Sequence, residues 1–136
     1  MARRDALTGL LTRNVFLAAA RKEIARAART GEHAAVVMTD IDRFKQINDQ
    51  HGHAVGDEVL VEIARRLRDG LRDMDYVSRW GGEEFVALLP DTSTNDAVET
   101  MERLRAEFEQ RPIATASGDF RVTLTFGIAP LGDDID

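Results

Sequence analysis

Two short apolar runs, Tyr76 to Trp80 and Glu84 to Leu89, stand on either side of Gly81-Gly82, and nothing else in the chain narrows its fold as much. A glycine pair accepts the positive φ angles of a tight reversal, so the spacing predicts an antiparallel hairpin. Helical patterns surround it. Asn14 is placed to cap a helix whose apolar positions Phe16, Ala20, Ile24 and Ala27 recur at helical spacing, with Gly31 to end it. His33 to Thr39 is a nearly continuous apolar run, as in a strand buried on both faces, and it leads into Asp40-Ile41-Asp42. Phe44 to Asp49 reads as a short helix stopped by Gly52, and from about Ala54 a longer one carries Leu60, Ile63, Ala64, Leu67 and Leu71 on one face. A third amphipathic helix has Ala97, Val98, Met101, Leu104 and Phe108, and Phe120 to Ile128 alternates like a half-buried strand. The order α-β-α-α-β-β-α-β, with a hairpin between helical crossovers, predicts an α+β sandwich with an antiparallel central sheet, not a doubly wound parallel one.

At 136 residues the chain has the size of one domain, 1–136, with one core. No apolar run approaches the ~20 residues that span a bilayer, and Met1 to Asp5 leads into no hydrophobic signal core, so direct membrane contact is not expected and the chain reads as cytoplasmic. The absence of cysteine removes disulfides, thiolate metal sites and a thiol nucleophile, which leaves hard-oxygen chemistry for any metal. Acidic residues number 24 against 18 basic ones, for a formal charge of -6, which argues against a binder of nucleic-acid polymers. A phosphate ligand would need local help, such as a divalent cation held by clustered carboxylates.

The acids are placed to offer it. Asp40 and Asp42 sit two apart at a strand end, where alternate side chains share a face, and Glu83 and Glu84 lie at the hairpin turn. Mg²⁺ is commonly held by one or two carboxylates together with substrate phosphates, which suits nucleotidyl transfer; Mn²⁺ is a second fit. By spacing alone, the same residues also fit solvated turn acids.

Arg79-Trp80-Gly81-Gly82-Glu83-Glu84-Phe85 resembles the signature hairpin of the GGDEF diguanylate cyclases, in its GGEEF variant. Asp40-Ile41-Asp42-Arg43-Phe44-Lys45-Gln46-Ile47-Asn48-Asp49, then Gly52-His53 and Gly56-Asp57-Glu58-Val59-Leu60, resembles the family's other long motif, and Asp5 to Leu10 its opening turn. The resemblance implies a five-stranded antiparallel sheet like the palm of polymerases and nucleotide cyclases. It implies condensation of two GTP molecules into cyclic di-GMP, with release of two pyrophosphates, by a homodimer in which each copy holds one GTP.

Residue by residue, the resemblance makes Asp40, Glu83 and the Ile41 carbonyl Mg²⁺ ligands, with Glu84 a further acidic candidate and Glu83 also the base for the attacking hydroxyl. Asn48 and Asp57 become guanine readers, with His53 beside the nucleotide; Asn48 also fits a helix C-terminus and Asp57 a first-turn acid. Backbone N–H groups from Arg43 through Phe44 to Lys45 would take phosphate oxygens, and Lys45 would add charge at the transition state. Gly81 and Gly82 would lie against the substrate. Asp42 receives no firm catalytic role. Arg72-Asp73-Met74-Asp75 fits the family's RxxD site for inhibition by product, with Arg72 and Asp75 as its contacts and Arg103 as a second arginine, which also fits a solvated helical charge.

Two other readings use the same residues. One is a catalytically silent module that binds GTP or cyclic di-GMP and regulates a partner; the other, a purine cyclase on a palm architecture, sits poorly with GGEEF and RxxD. Family members usually carry a sensory domain, through which a parent protein can be anchored to a membrane. They also continue past the strand matched by Arg121 to Ala129 with a helix and a closing strand, so the chain is expected to be truncated at its C-terminus and to turn over poorly by itself.

Overall fold

The computed structural model describes residues 2–131. Its elements run α1 (Arg13–Thr30), β1 (Ala34–Ile41), α2 (Phe44–His51), α3 (His53–Gly70), β2 (Tyr76–Arg79), β3 (Glu84–Pro90), α4 (Thr94–Gln110), β4 (Ile113–Thr115), β5 (Gly118–Phe120) and β6 (Leu124–Pro130). The main sheet has four strands in the order β2-β3-β1-β6, and every pairing in it is antiparallel. β4 and β5 form a separate small hairpin.

Three layers result. Phe85, Ala87 and Leu89 of β3, with Ala35, Val37 and Ile41 of β1, join the core built with Val59, Ile63 and Leu67 of α3 and Met101, Leu104 and Phe108 of α4. The alternate residues Val86 and Leu88 point the other way, to Phe16 and Ala20 of α1. Each fully buried side chain of this size contributes about 1.5–3 kcal/mol of transfer free energy, so both faces of β3 are strongly specified.

Several sequence expectations change. β1 is not buried on both faces, because α1 lies over the β2–β3 side and leaves Met38 49% exposed. Thr12, not Asn14, is the N-cap of α1, and its side chain makes no cap bond. Gly81 and Gly82 adopt no positive φ: the reversal spans Trp80 to Glu83, with Trp80 N–H donating to Glu84 O at 2.9 Å, and this longer loop needs no mirrored turn. Val98 is exposed, since α4 buries Ala97, Met101, Leu104 and Phe108. Phe120 to Ile128 is not one strand: Phe120 closes the β4–β5 hairpin and β6 starts afresh at Leu124. The described residues therefore give a four-stranded main sheet where five strands were implied.

The segment before α1 is tied down. Leu11 N–H donates to Val77 O at 3.1 Å, Arg79 N–H donates to Leu11 O at 3.3 Å, and the Ser78 hydroxyl donates to the same carbonyl at 3.0 Å. Asp5 accepts from the Thr8 N–H and hydroxyl, both at 2.8 Å, and pairs with Arg79 at 3.3 Å. Burial opposes the Asp5 charge, but the Thr8 and Arg79 hydrogen bonds outweigh it and hold the carboxyl below its usual range.

Candidate active site

Sheet register assembles the acids. Asp40, the seventh residue of β1, lies directly opposite Glu84 at the start of β3, so both side chains leave the same face. Ile41 N–H donates to Glu83 O at 3.3 Å, which locks the hairpin tip against the strand end. Arg79 grips the tip from below, donating to Gly81 O at 3.2 Å and Gly82 O at 3.1 Å. The Glu83 carboxyl is pushed above the usual carboxylate range, first by burial and then by the charges of the nearby Asp40 and Glu84.

Among the described residues, none of these three acids forms an ion pair, and no three acids or histidines converge into a ready metal cage. What the fold supplies is Asp40 facing Glu84 across the β1–β3 ladder, with Glu83 beside them at the hairpin tip. Two like charges held together by backbone register fit a divalent cation that completes its shell with water and phosphate oxygens. Asp42 is occupied elsewhere, since its carboxylate accepts from the Thr123 and Thr125 hydroxyls at 2.7 and 2.6 Å and so pins β6 to the end of β1.

Beyond Asp42 the chain turns through Arg43, which sits in the left-handed region at φ 59°, and enters α2. That turn aims the first N–H groups of α2 outward from the strand end. The Phe44 side chain is buried in the core, whereas Lys45 is exposed without an ion pair among the described residues. One turn on, the Asn48 side-chain oxygen Oδ1 is buried with no hydrogen-bond partner. A Cβ on Gly56 would lie 1.8 Å from that oxygen, so only glycine at 56 lets α3 pass so close. Asp57 follows, exposed, on a cleft of about 360 Å³ shared with Leu7, Ala54 and Val61. An unpartnered side-chain oxygen and, just past Gly56, an exposed carboxylate are two acceptors for the donors of a polar ring edge. His53 is exposed at the start of α3.

At its other end the β2–β3 pair meets the RxxD residues. Asp75 is 4% exposed and receives the Arg72 backbone N–H at 2.8 Å and Arg72 Nη2 at 2.8 Å; the same nitrogen donates to Pro90 O and the Thr92 hydroxyl. Arg103 of α4 donates to Gly70 O at 2.8 Å, at the adjoining end of α3. The three residues are brought to one corner, but Arg72 and Asp75 are already bonded to each other.

A family model described as "Diguanylate cyclase, GGDEF domain" matches residues 2–135. The chain belongs to the GGDEF diguanylate cyclase family. It is 40% identical over 126 residues to the diguanylate cyclase DosC of Escherichia coli, covering 92% of this chain and 27% of that protein. The chain thus spans between about a fifth and a third of the length of the curated relatives it matches. Among solved structures, the GGDEF domain of TpbB from Pseudomonas aeruginosa superposes with a TM-score of 0.89 at 43% identity, over 93% of this chain and 74% of that one. The GGDEF domain of DgcB from Caulobacter crescentus, in complex with c-di-GMP, gives 0.90 at 30% identity, over 96% and 76%. The expected fold class is that of the GGDEF domains.

Sequence reasoning missed what braces this GGDEF site. Arg13 stacks over the Trp80 ring at 4.3 Å, and Phe16 meets that ring edge-on at 6.0 Å, so α1 holds the residue just before the hairpin tip. The threonines that hold Asp42 alternate at 123 and 125, the one visible hint that two hydroxyls share a face.

Proposed function

We propose that this chain is the catalytic module of a diguanylate cyclase, which joins two GTP molecules into cyclic di-GMP with release of two pyrophosphates across a homodimer. The neighbouring carboxylates of Asp40 and Glu83 carry the reading: register sets Asp40 opposite Glu84, and the Ile41 N–H bond to the Glu83 carbonyl holds the hairpin tip at the same strand end. Mg²⁺ or Mn²⁺ bound by these carboxylates and the Ile41 carbonyl, with Glu84 nearby, would offset charge on the triphosphate and the leaving pyrophosphate.

The chain's own groups divide the remaining work. Backbone N–H groups from Arg43 to Lys45 receive phosphate oxygens, and the Lys45 ammonium adds a cation that no carboxylate of the described residues neutralises. Asn48 and Asp57 read guanine: the carboxylate accepts from N1–H and N2–H₂, a donor pair that adenine lacks, and the orphaned Asn48 amide gains the partner it wants. Gly81 and Gly82 keep the tip bare against the substrate, and His53 lies beside it. Glu83 takes the proton of the 3′-hydroxyl. Two copies are needed because each presents one GTP to the other.

Arg72, Asp75 and Arg103 form the product site. Cyclic di-GMP has to compete with the bonds that Arg72 makes to Asp75, Pro90 and Thr92, so it binds there by exchanging internal partners for guanine or phosphate acceptors. That a relative's GGDEF domain was crystallised with c-di-GMP supports the ligand class.

The test is chromatographic assay of GTP with Mg²⁺, using the chain within its full-length parent and the Asp40→Ala variant. Cyclic di-GMP from the parent alone supports the proposal; product from neither, with GTP still bound, turns the reading to a silent nucleotide receptor. Calorimetry with cyclic di-GMP on Arg72→Ala checks the product site, and unchanged affinity there removes it.

A further inference from the structure

The face of α2 turned away from Lys45 borders a second cleft, of about 660 Å³, whose far wall is the segment between β5 and β6. At 100° per residue, Arg43, Gln46, Ile47, Gln50 and His51 fall on one side of the helix, while Lys45 and Asn48 point elsewhere. Arg121 and Thr123 line the opposite wall, and Phe120 closes the cleft with His51 packed edge-on against its ring at 4.6 Å.

The chemistry of this lining is unusual for the molecule. Nine arginines, among them Arg26, Arg66, Arg72 and Arg79, donate to protein oxygens. Neither the Arg43 nor the Arg121 guanidinium does so among the described residues, although both face one cavity. The single acid there is Asp42, and both of its oxygens already accept threonine hydroxyls. Two unengaged guanidiniums, two side-chain amides and an imidazole surround a space walled on one side by Ile47 and an aromatic ring. That combination recognises a phosphate ester carrying a planar ring.

We infer that this cleft is a second nucleotide site, in which Arg43 and Arg121 hold the phosphates of a nucleoside triphosphate and Phe120 supports its base. Among the described residues no carboxylate is free there to accept from a guanine edge, so the site takes GTP and ATP alike. It is separate from the Asn48 and Asp57 pocket and needs no divalent cation, because its charge comes from arginine.

The experiment is nucleotide titration in excess chelator, followed by calorimetry and by the His51 ring proton resonances. The parent chain is expected to bind GTP and ATP with affinities within about twofold of each other, since stacking tolerates any base. His51 shifts in both titrations. Arg121→Glu, at an exposed position, should weaken binding at least about tenfold, the worth of a charge-assisted phosphate contact, and Arg121→Lys should recover part of it. Phe120→Leu should weaken GTP binding while leaving inorganic pyrophosphate unaffected. Asp40→Ala should bind as the parent does, which separates this site from the proposed active site whatever that variant's turnover. Absence of chelator-resistant binding, an unmoved His51 spectrum, or Arg121→Glu equal to the parent would overturn the proposal. Pyrophosphate as strong a ligand as GTP would overturn the role of Phe120.

Discussion

The two ends of the β2–β3 hairpin are about 20 Å apart along the seven residues of β3, and they treat charge in opposite ways. At the Glu84 end, Asp40, Glu83 and Glu84 are neighbours and, among the described residues, none pairs with an arginine, since Arg79 directs its bonds to Asp5 and the tip carbonyls; burial with mutual repulsion raises the Glu83 pKa. At the Pro90 end, Asp75 is buried but saturated by Arg72, and Glu23 and Asp91 share Arg26. One end is complete by itself; the other calls for a cation that the chain does not supply. A structural ion pair and a functional acid pair therefore differ less in residue type than in whether the sheet brings a counter-charge to them.

The sharpest way to break this comparison is to remove an acid at each end and read different properties. Asp40→Ala should lower cyclic di-GMP formation by about 100-fold or more, the usual scale for a group that organises charge at a reacting phosphoryl. Its thermal midpoint without divalent cation should hold or rise. A steep loss of stability would mean that Asp40 is structural after all.

Asp75→Ala should do the reverse. It strips three bonds from Arg72 and should cost about 2–3 kcal/mol in urea unfolding, even though Arg72 remains partly solvated. Equal stability of variant and parent would show that the Pro90 end is not self-contained.

A smaller effect probes the candidate guanine readers on α2 and α3. Gly56→Ala forces Asn48 aside, and the preference for GTP over ATP should fall about tenfold in competition binding, as when one polar contact to a base is lost. Unchanged preference would place guanine reading elsewhere.

The smallest expected change concerns Glu83→Gln without divalent cation. A carboxyl whose folded pKa lies above its unfolded value stabilises the fold most below that range, and this contribution is lost as pH rises through both values. Glu83→Gln should therefore become more stable than the parent as pH climbs from about 4 to 6, by at most about 0.5 kcal/mol, because solvent screens the tip. Added Mg²⁺ should erase or reverse the difference.

Much of this contrast is legible in the sequence, for reasons that differ by residue. The helices are readable because Leu60, Ile63, Ala64 and Leu67 recur at the helical period and all reach the core. The acid pair is readable because Asp40 and Glu83 sit at a strand end and a turn, positions that period-2 strands bring together. The β4–β5 hairpin is not, since three-residue strands such as Gly118–Phe120 are too short to show a period. Nor is the state of Arg72: RxxD spacing predicts a ligand pair, but its bonds to Pro90 and Thr92 arise from a chain reversal that no local pattern encodes. The orphaned Asn48 oxygen depends on a helix crossing at Gly56, and only the packed structure reveals it.

The bridge that Leu11 makes to β2 has a consequence for how the molecule behaves in company. β2 is the outermost strand of the main sheet, and an uncovered outer strand is a template on which another polypeptide can pair. By occupying the Val77 carbonyl and the Arg79 amide, the segment before α1 serves as a guard rail against edge-to-edge aggregation. Any partner that peels this segment away would expose a sticky seam within a few residues of the hairpin tip.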